Sequence, residues 1–172
     1  MKNIYLTGFM GTGKSTVAEA LSDLTGLSSY DMDKLLTERF EMPISTVFEK
    51  KGEEYFRREE KDLLRSLSEK TSVIVSCGGG IVKDDENIAI MKSSGTVFLL
   101  TASPETLFER LKDDVSRPLL KGRLSVEGIR DMISERAEMY EKAASHVIET
   151  DGLSPAEIAK RIVIDATDIT ML

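Results

Sequence analysis

The sequence predicts an α/β protein in which a parallel β-sheet carries helices on both faces. Short apolar runs alternate with longer amphipathic stretches along the chain. Strands that alternate with helices form βαβ units, because parallel strands need a long crossover connection. We find no internal repeat, low-complexity tract or linker in the 172 residues. A single domain, residues 1–172, therefore accounts for the chain.

The first half of the chain contains three predicted strands and two predicted helical stretches. The strands span residues 3–7, 27–31 and 73–77. The first helix runs from about Ser15 to Thr25, directly after a glycine-rich turn. A long charged stretch runs from Ile44 to about Glu69 and reads as helical. Gly52 is the candidate break in it, because glycine lowers helix stability.

The second half continues the alternation. Its predicted elements are a helix over 84–92, a strand over 96–101, a helix over 103–112, a helix over 125–144 and a strand over 146–149. Ser103 and Pro104 form a helix start, with serine as N-cap and proline at the first helical position. Ser154 and Pro155 form another, and Glu157 supplies the glutamate of a capping box.

The composition excludes several classes of protein. The chain has 23 Lys and Arg against 30 Asp and Glu, a net charge of −7, which argues against a protein that coats nucleic acid. One cysteine excludes an intramolecular disulfide and fits a reducing compartment. No apolar run approaches the roughly 18 residues of a membrane span, and the N-terminus does not read as a secretory signal. We therefore expect a cytoplasmic protein that binds neither nucleic acid nor membranes.

Residues 8–15, Gly-Phe-Met-Gly-Thr-Gly-Lys-Ser, match the pattern G-x-x-x-x-G-K-[ST] of a phosphate-binding loop. The predicted strand before it and helix after it are the context that the motif needs. The glycines let backbone N–H groups point at phosphate oxygens, and the helix N-terminus favours negative charge. In such a loop Lys14 reaches the β- and γ-phosphates, and the Ser15 hydroxyl binds Mg²⁺. The motif predicts a nucleoside triphosphate site; the alternative is a chance glycine-rich turn.

In many proteins with such a loop, Mg²⁺ is also held by an aspartate at the end of a later strand. The third predicted strand ends without one, whereas Asp31 and Asp33 lie at the end of the second. In an extended chain, residues two apart project to the same side. One carboxylate could then serve the metal and the other an acceptor hydroxyl. The alternative is that Asp33 only caps the next helix, from Lys34 onward.

Two arginines lie on apolar helix faces. Arg57 and Glu60, three residues apart, fall on or beside the face that Phe56 marks, and Arg136 lies in the apolar stripe of a later helix. A charge there is costly unless it is paired or faces a polar site. Satisfied salt bridges are one explanation. The other is a pocket in which both arginines hold an anion, and a carboxylate suits the arginine fork.

Three further features follow in the chain. Gly78, Gly79 and Gly80 come directly after a strand and allow a ligand to approach the backbone, although a tight turn would use glycines too. Arg117 lies in an aperiodic loop, 113–124, and fits either a lid that closes on ATP or an exposed loop arginine. The single histidine, His146, begins a predicted strand and is interpreted as structural, which argues against a Ser-His-Asp triad.

These segments, in this order, resemble the shikimate kinase family from residue 4 to about Pro155. The motifs that carry the resemblance are the loop 8–15, the Asp31 and Asp33 pair, Phe56-Arg57-x-x-Glu60, Gly78-Gly79-Gly80, Arg117-Pro118-Leu-Leu and Arg136-x-x-x-Tyr140. Many proteins share the phosphate loop. The aspartate pair, the Phe-Arg-x-x-Glu segment and the triple glycine are together far more specific.

The resemblance implies a three-layer P-loop kinase fold with a five-stranded parallel sheet in the order 2-3-1-4-5. It implies a substrate-binding segment at about 33–60 and a lid at about 112–124. The implied reaction transfers the γ-phosphate of ATP to the 3-hydroxyl of shikimate, on the route to chorismate and the aromatic amino acids. Mg²⁺ is the implied metal, and we expect a monomer.

The resemblance also implies a role for individual residues. The implied ATP-binding residues are Gly11, Thr12, Gly13, Lys14, Ser15, Thr16, Arg110, Arg117 and Pro155. The implied shikimate-binding residues are Asp33, Arg57, Gly78, Gly79, Gly80 and Arg136. Ser15 and, largely through water, Asp31 would hold Mg²⁺. Lys14, Asp33 and Arg117 would be catalytic.

Other functions remain open at this point. A kinase of the same fold that acts on gluconate or a nucleoside monophosphate would also use the phosphate loop. A nucleotide-dependent switch is a second alternative, but the Asn-Lys-x-Asp motif that recognises guanine is absent. A catalytically silent relative is a third, and the presence of Lys14, Asp31 and Asp33 argues against it.

Overall fold

The computed structural model describes residues 2–114 and 122–168, which form five β-strands and eight α-helices. The strands are β1 (Asn3–Thr7), β2 (Ser28–Asp31), β3 (Val73–Ser76), β4 (Gly95–Thr101) and β5 (His146–Glu149). The helices are α1 (Lys14–Thr25), α2 (Met32–Phe40), α3 (Ile44–Lys51), α4 (Glu53–Ser68), α5 (Asp85–Ser94), α6 (Pro104–Leu111), α7 (Val126–Ala143) and α8 (Pro155–Asp168). A 3-10 turn, Ile81–Lys83, lies between β3 and α5.

The strands form one parallel sheet in the order β2-β3-β1-β4-β5, which confirms the predicted fold and strand order. The register aligns the carboxyl ends of three neighbouring strands. Leu6 of β1 pairs with Ser76 of β3, and Ser76 pairs with Asp31 of β2. The segments that follow β1, β2 and β3 therefore begin at one edge of the sheet, where open α/β sheets bind ligands.

Both faces of the sheet are covered by helices. Ile4 and Leu6 of β1 pack in the core that includes α1 and α8, while Tyr5 between them packs in the core formed with α2, α3, α4, α5 and α7. This alternation is the two-residue period of a strand. Because both faces are buried, β1 and β3 read as continuous apolar runs and not as alternating ones.

A third apolar cluster supports the phosphate loop. Phe9 and Met10 of the loop pack against Leu107 and Leu111 of α6 and Ile129 of α7. The loop is thus anchored by its two large apolar residues.

The amino end of the sheet is tied together by a buried asparagine. The side-chain amide of Asn3 donates to the carbonyl oxygen of Lys70 at 2.9 Å, and its Oδ1 accepts from the backbone N–H of Val73 at 3.2 Å. These bonds satisfy a buried polar group and join β1 to the connection between α4 and β3.

The sequence predicted most element boundaries closely. The break at Gly52 is confirmed, since α3 ends and α4 begins there and Gly52 has a φ of 86° that few other residues adopt. The helix after β2 begins at Met32 and not at Lys34. Most of the predicted lid, including Arg117, lies outside the described residues. None of the described helices combines the length and the apolar character needed to cross a bilayer.

Candidate active site

The phosphate loop lies between β1 and α1, and its own polar groups brace it. The buried hydroxyl of Thr12 donates to the carbonyl oxygen of Phe9 at 2.8 Å. The Lys14 ammonium folds back onto the loop and donates to the carbonyl oxygens of Gly8 and Phe9 at 2.8 and 3.1 Å. From α6, Arg110 Nη1 donates to the carbonyl oxygen of Gly11 at 2.8 Å. Two cations therefore lie against the loop that the sequence assigns to phosphate.

The remaining predicted ATP residues fall in two places. Gly13, Ser15 and Thr16 form the end of the loop and the first turn of α1, where both side-chain hydroxyls are exposed. Pro155 is the exposed first residue of α8. The predicted capping box is present there: the Ser154 Oγ accepts from the Glu157 N–H at 3.2 Å, and the Glu157 carboxylate accepts from the Ser154 N–H at 2.7 Å.

Asp31 and Asp33 make different contacts, and the prediction that the chain stays extended from one to the other is wrong. Asp31 ends the strand and caps α2, with its Oδ1 accepting from the backbone N–H of Lys34 at 3.1 Å. Its Oδ2 accepts a hydrogen bond from the Ser15 hydroxyl. Asp33 lies in the first turn of α2, so the cap considered for Asp33 is supplied by Asp31.

Asp33 faces the glycine segment. A β-carbon on Gly78 would lie 3.1 Å from Asp33 Oδ1 and 2.7 Å from Glu60 Oε2. Both carboxylates thus lie against the bare backbone where β3 ends. The Asp31 carboxylate thus lies at the Ser15 hydroxyl, whereas the Asp33 carboxylate lies at the glycine segment.

A cavity of about 570 Å³ lies beside the phosphate loop. All six residues predicted to bind substrate line it, and so does Glu60. Those six are Asp33, Arg57, Gly78, Gly79, Gly80 and Arg136. The cavity also includes Met10 of the phosphate loop, so it adjoins the predicted nucleotide site.

Arg57 is held by α4 and by the glycine segment. Its Nη1 donates to Glu60 Oε1 at 2.8 Å, which confirms the predicted pair. The guanidinium occupies the space that a β-carbon on Gly80 would need. The side chain of Arg57 is 22% exposed, and that of Glu60 only 1%. The pair therefore forms a wall of the cavity that is charged but largely shielded from solvent.

Arg136 reaches the cavity from α7. It is 5% exposed, and its Nη1 donates to the carbonyl oxygen of Gly79 at 3.3 Å. The Tyr140 hydroxyl donates to the same oxygen at 2.6 Å. The guanidinium carbon lies 5.8 Å from the centre of the Phe9 ring. None of these contacts is an ion pair, and Arg136 lines the cavity, where its buried charge is available to an anion.

Comparison with known proteins identifies the family of the chain. The shikimate kinase family model matches residues 10–167. A shikimate kinase of Thermodesulfovibrio yellowstonii is 39% identical over 163 residues, which cover 95% of this chain and 94% of that protein. The chain belongs to the shikimate kinase family. The reaction of the family is the ATP-dependent phosphorylation of shikimate, so this chain is a kinase with ATP as co-substrate.

Solved structures of the family superpose on the whole chain. A shikimate kinase from Acinetobacter baumannii in complex with shikimate has a TM-score of 0.94 at 30% identity and covers 100% of this chain and 96% of that one. A gluconokinase from Sinorhizobium meliloti 1021 has a TM-score of 0.59 at 15% identity over 99% of this chain and 96% of that one. The second likeness shows the fold alone, so the gluconate alternative gains nothing specific from it.

The sequence did not assign Glu60 to the substrate site of this shikimate kinase family member. Its Oε2 is buried and has no hydrogen-bond partner among the described residues. Burial raises the pKa of Glu60 above its usual value, against the opposing charge of Arg57, and the charge of Asp33 raises it further. The spacing to Arg57 indicated the pairing, but no pattern indicated that its second oxygen would face the cavity.

The second wall of the cavity lies within the segment 33–60 that the resemblance implied, but the sequence singled out none of its residues. Thr37 of α2, together with Ile44 and Phe48 of α3, lines the cavity. The ring of Phe48 lies 4.9 Å from that of Phe56, which joins the wall to α4. Apolar residues at helical spacing look the same whether they face a core or a ligand. Only their position beside the charged wall distinguishes them.

Proposed function

We propose that the cavity holds shikimate with its carboxylate at Arg57 and Arg136 and its 3-hydroxyl at Asp33. One observation carries this placement. A β-carbon on Gly79 would lie 3.7 Å from both the carbonyl oxygen of Gly8 and the backbone nitrogen of Met10. The substrate wall therefore touches the phosphate loop, and an acceptor in the cavity lies next to a terminal phosphate bound in the loop.

In the proposed step, the 3-hydroxyl oxygen attacks the γ-phosphorus in line with the bond to the β–γ bridging oxygen. The new O–P bond forms as the bridging O–P bond breaks, and ADP leaves with that electron pair. Asp33 accepts the hydrogen bond of the hydroxyl, orients its oxygen and takes its proton. The Lys14 ammonium stabilises the charge that develops on the phosphate oxygens.

Mg²⁺ would be held by Ser15 and Asp31. The donor set fits this metal, because a hydroxyl and a carboxylate are hard oxygen ligands and lie in direct contact here. Mg²⁺ is bound in such sites by one or two carboxylates, phosphate oxygens and several waters. No group of three or more His, Cys, Asp or Glu residues in the described part of the chain forms a metal cage. The metal would draw charge from the phosphate oxygens.

Further parts of the proposal concern the segments around the site. We place the substrate-binding segment at about 33–60, because Asp33, Phe48 and Arg57 all line the cavity. The lid at about 112–124, with Arg117 approaching the phosphates, and the adenine contacts of Arg110 and Pro155 rest on the family resemblance. A monomeric, cytoplasmic enzyme is the arrangement we propose.

Replacing Gly80 by alanine is expected to raise the KM for shikimate by about tenfold or more, equivalent to about 1.4 kcal/mol of binding. The added methyl group would overlap the Arg57 guanidinium, which Glu60 holds in place. Steady-state kinetics at saturating ATP measure the change, and a thermal melt shows whether the fold is kept. A wild-type KM in the folded variant would contradict the position assigned to Arg57.

The proposed reaction is tested by measuring ADP release from ATP and Mg²⁺ with one acceptor in each reaction. The acceptors are shikimate, gluconate, AMP, CMP and none. We expect release with shikimate alone, and the product is identified as a 3-phosphate by phosphorus-31 NMR. Release with gluconate instead would still support the nucleotide site, but it would contradict the proposal that Arg57 and Arg136 bind the carboxylate of shikimate. ATP binding without release would indicate the nucleotide switch or the silent relative.

A further inference from the structure

The Arg57 guanidinium is contacted by two carboxylates, those of Glu60 and Glu53. The proposed reaction gives Glu53 no role. Glu60 Oε1 accepts from Arg57 Nη1 at 2.8 Å. Glu53 lies one helical turn earlier, and its Oε1 is 3.4 Å from both Nε and Nη2 of Arg57. Residues four apart lie on one face of a helix, so α4 itself builds this contact.

Lys83 reaches the same oxygen of Glu53. Its Nζ lies 3.3 Å from Glu53 Oε1, and it belongs to the 3-10 turn that follows the glycine segment. Glu53 therefore bridges the start of α4 and the segment after Gly80, the two structures that flank the Arg57 guanidinium. Partial burial raises the pKa of Glu53, but Lys83 and Arg57 outweigh it, and the pKa lies below its usual value.

The hydrogens of the guanidinium can be assigned from these contacts. Arginine has five N–H donors. Glu53 takes the one on Nε and one on Nη2, and Glu60 takes one on Nη1. One hydrogen then remains on Nη1 and one on Nη2. The contacts with Glu53 and Glu60 therefore leave donors on Arg57 for a substrate carboxylate.

We infer that Glu53 and Lys83 are positioning residues for the substrate carboxylate: Glu53 fixes the plane of the Arg57 guanidinium, and Lys83 holds Glu53. This inference rests on the proposed placement of the shikimate carboxylate at Arg57. Glu53 and Lys83 act through Arg57 and do not take part in phosphoryl transfer. Their removal should therefore weaken shikimate binding and leave the chemical step and the nucleotide site alone.

The test uses the full chain with Glu53→Gln, Lys83→Met and the double variant. Kinetics of ADP release are measured with shikimate varied at saturating ATP, and with ATP varied at saturating shikimate. We expect Glu53→Gln to raise the KM for shikimate roughly fivefold, with kcat and the KM for ATP within about twofold of wild type. Lys83→Met should give a smaller rise in the same direction. The double variant should resemble Glu53→Gln, because Lys83 acts through Glu53.

Glu54→Gln is the matched control, since Glu54 is an exposed glutamate in the same turn of α4. Its replacement removes the same charge from the same helical turn and leaves the Glu53 contact with Arg57 intact, and we expect a wild-type KM for shikimate. Loss of a negative charge alone would favour an anionic substrate, so an equal rise in Glu54→Gln would show a general disturbance of this turn of α4 and overturn the inference. A lower KM in Glu53→Gln would show that Glu53 competes with the substrate for Arg57, which also overturns it.

Calorimetric titration of each variant with shikimate separates this inference from the proposed function. The expected result is a dissociation constant that rises with the KM. If wild type binds and phosphorylates shikimate and Glu53→Gln matches it in both, the positioning role alone is wrong. If wild type neither binds nor phosphorylates shikimate, the proposed function is wrong, and the inference is overturned with it.

Discussion

Replacing Asp33 by asparagine is expected to lower kcat by about two to four orders of magnitude, the usual contribution of a positioned acid or base. The amide keeps the size of the side chain and still accepts a hydrogen bond, but it cannot take a proton. Asp33 lies against Gly78 in the first turn of α2, whereas Ser15 is contacted by Asp31. ATP binding should therefore be nearly unchanged in the variant. Steady-state kinetics and calorimetric titration with ATP measure the two effects.

Asp23→Asn provides the control for the loss of one carboxylate. Asp23 is exposed near the end of α1, away from the cavity lining, and its replacement should leave kcat as in wild type. Normal turnover by Asp33→Asn would show that this carboxylate is neither base nor orienting group. A parallel loss of ATP affinity would show that Asp33 serves the nucleotide and not the acceptor.

Replacing Arg136 by methionine is expected to raise the KM for shikimate about 100-fold, which corresponds to about 2.8 kcal/mol. The charge is almost fully buried and directed at the cavity, so its contact with a substrate carboxylate is little weakened by solvent. Methionine retains an apolar stem of similar length, which preserves packing on α7. Kinetics with shikimate varied at saturating ATP measure the effect, and a thermal melt monitors the fold.

Arg130→Met is a matched control on the same helix. Arg130 is exposed and pairs with Glu105 at 3.1 Å. Exposed ion pairs contribute at most about 1 kcal/mol to stability, and this one is not part of the cavity lining. We expect its KM for shikimate to stay within about twofold of wild type. If Arg136→Met lowers the melting temperature but keeps a wild-type KM, Arg136 is structural only.

The phosphate loop and the two arginines of the cavity were predictable from sequence for a physical reason. Glycines, a lysine and a serine at fixed offsets after a buried strand form a phosphate site through local geometry alone. Charged side chains such as those of Arg57 and Arg136 are costly to bury on apolar helix faces. Their presence there therefore indicates a ligand or a partner. The structure places both arginines at one cavity.

Features that depend on non-local contacts were not predictable in the same way. The alternation of strands and helices predicts a parallel sheet, but the order of its strands came from the family resemblance. The roles of Asp31 and Asp33 turned on whether the chain stays extended after β2, and the N-cap bond to Lys34 ends the extension at Asp31. The inward-facing oxygen of Glu60 follows from how α4 packs against the glycine segment, and no spacing along the chain encodes it.

The two ends of the strands make different contributions, one to the fold and the other to the site. Asn3, at the amino end of β1, holds the connection between α4 and β3 and lies outside the cavity lining. A substitution there reduces the amount of folded protein and leaves the turnover of each folded molecule intact. At the carboxyl ends, Asp31 is the last paired residue of β2, and the glycine segment follows β3. A substitution there changes turnover in a protein that still folds, so abundance and activity can evolve separately along the same strands.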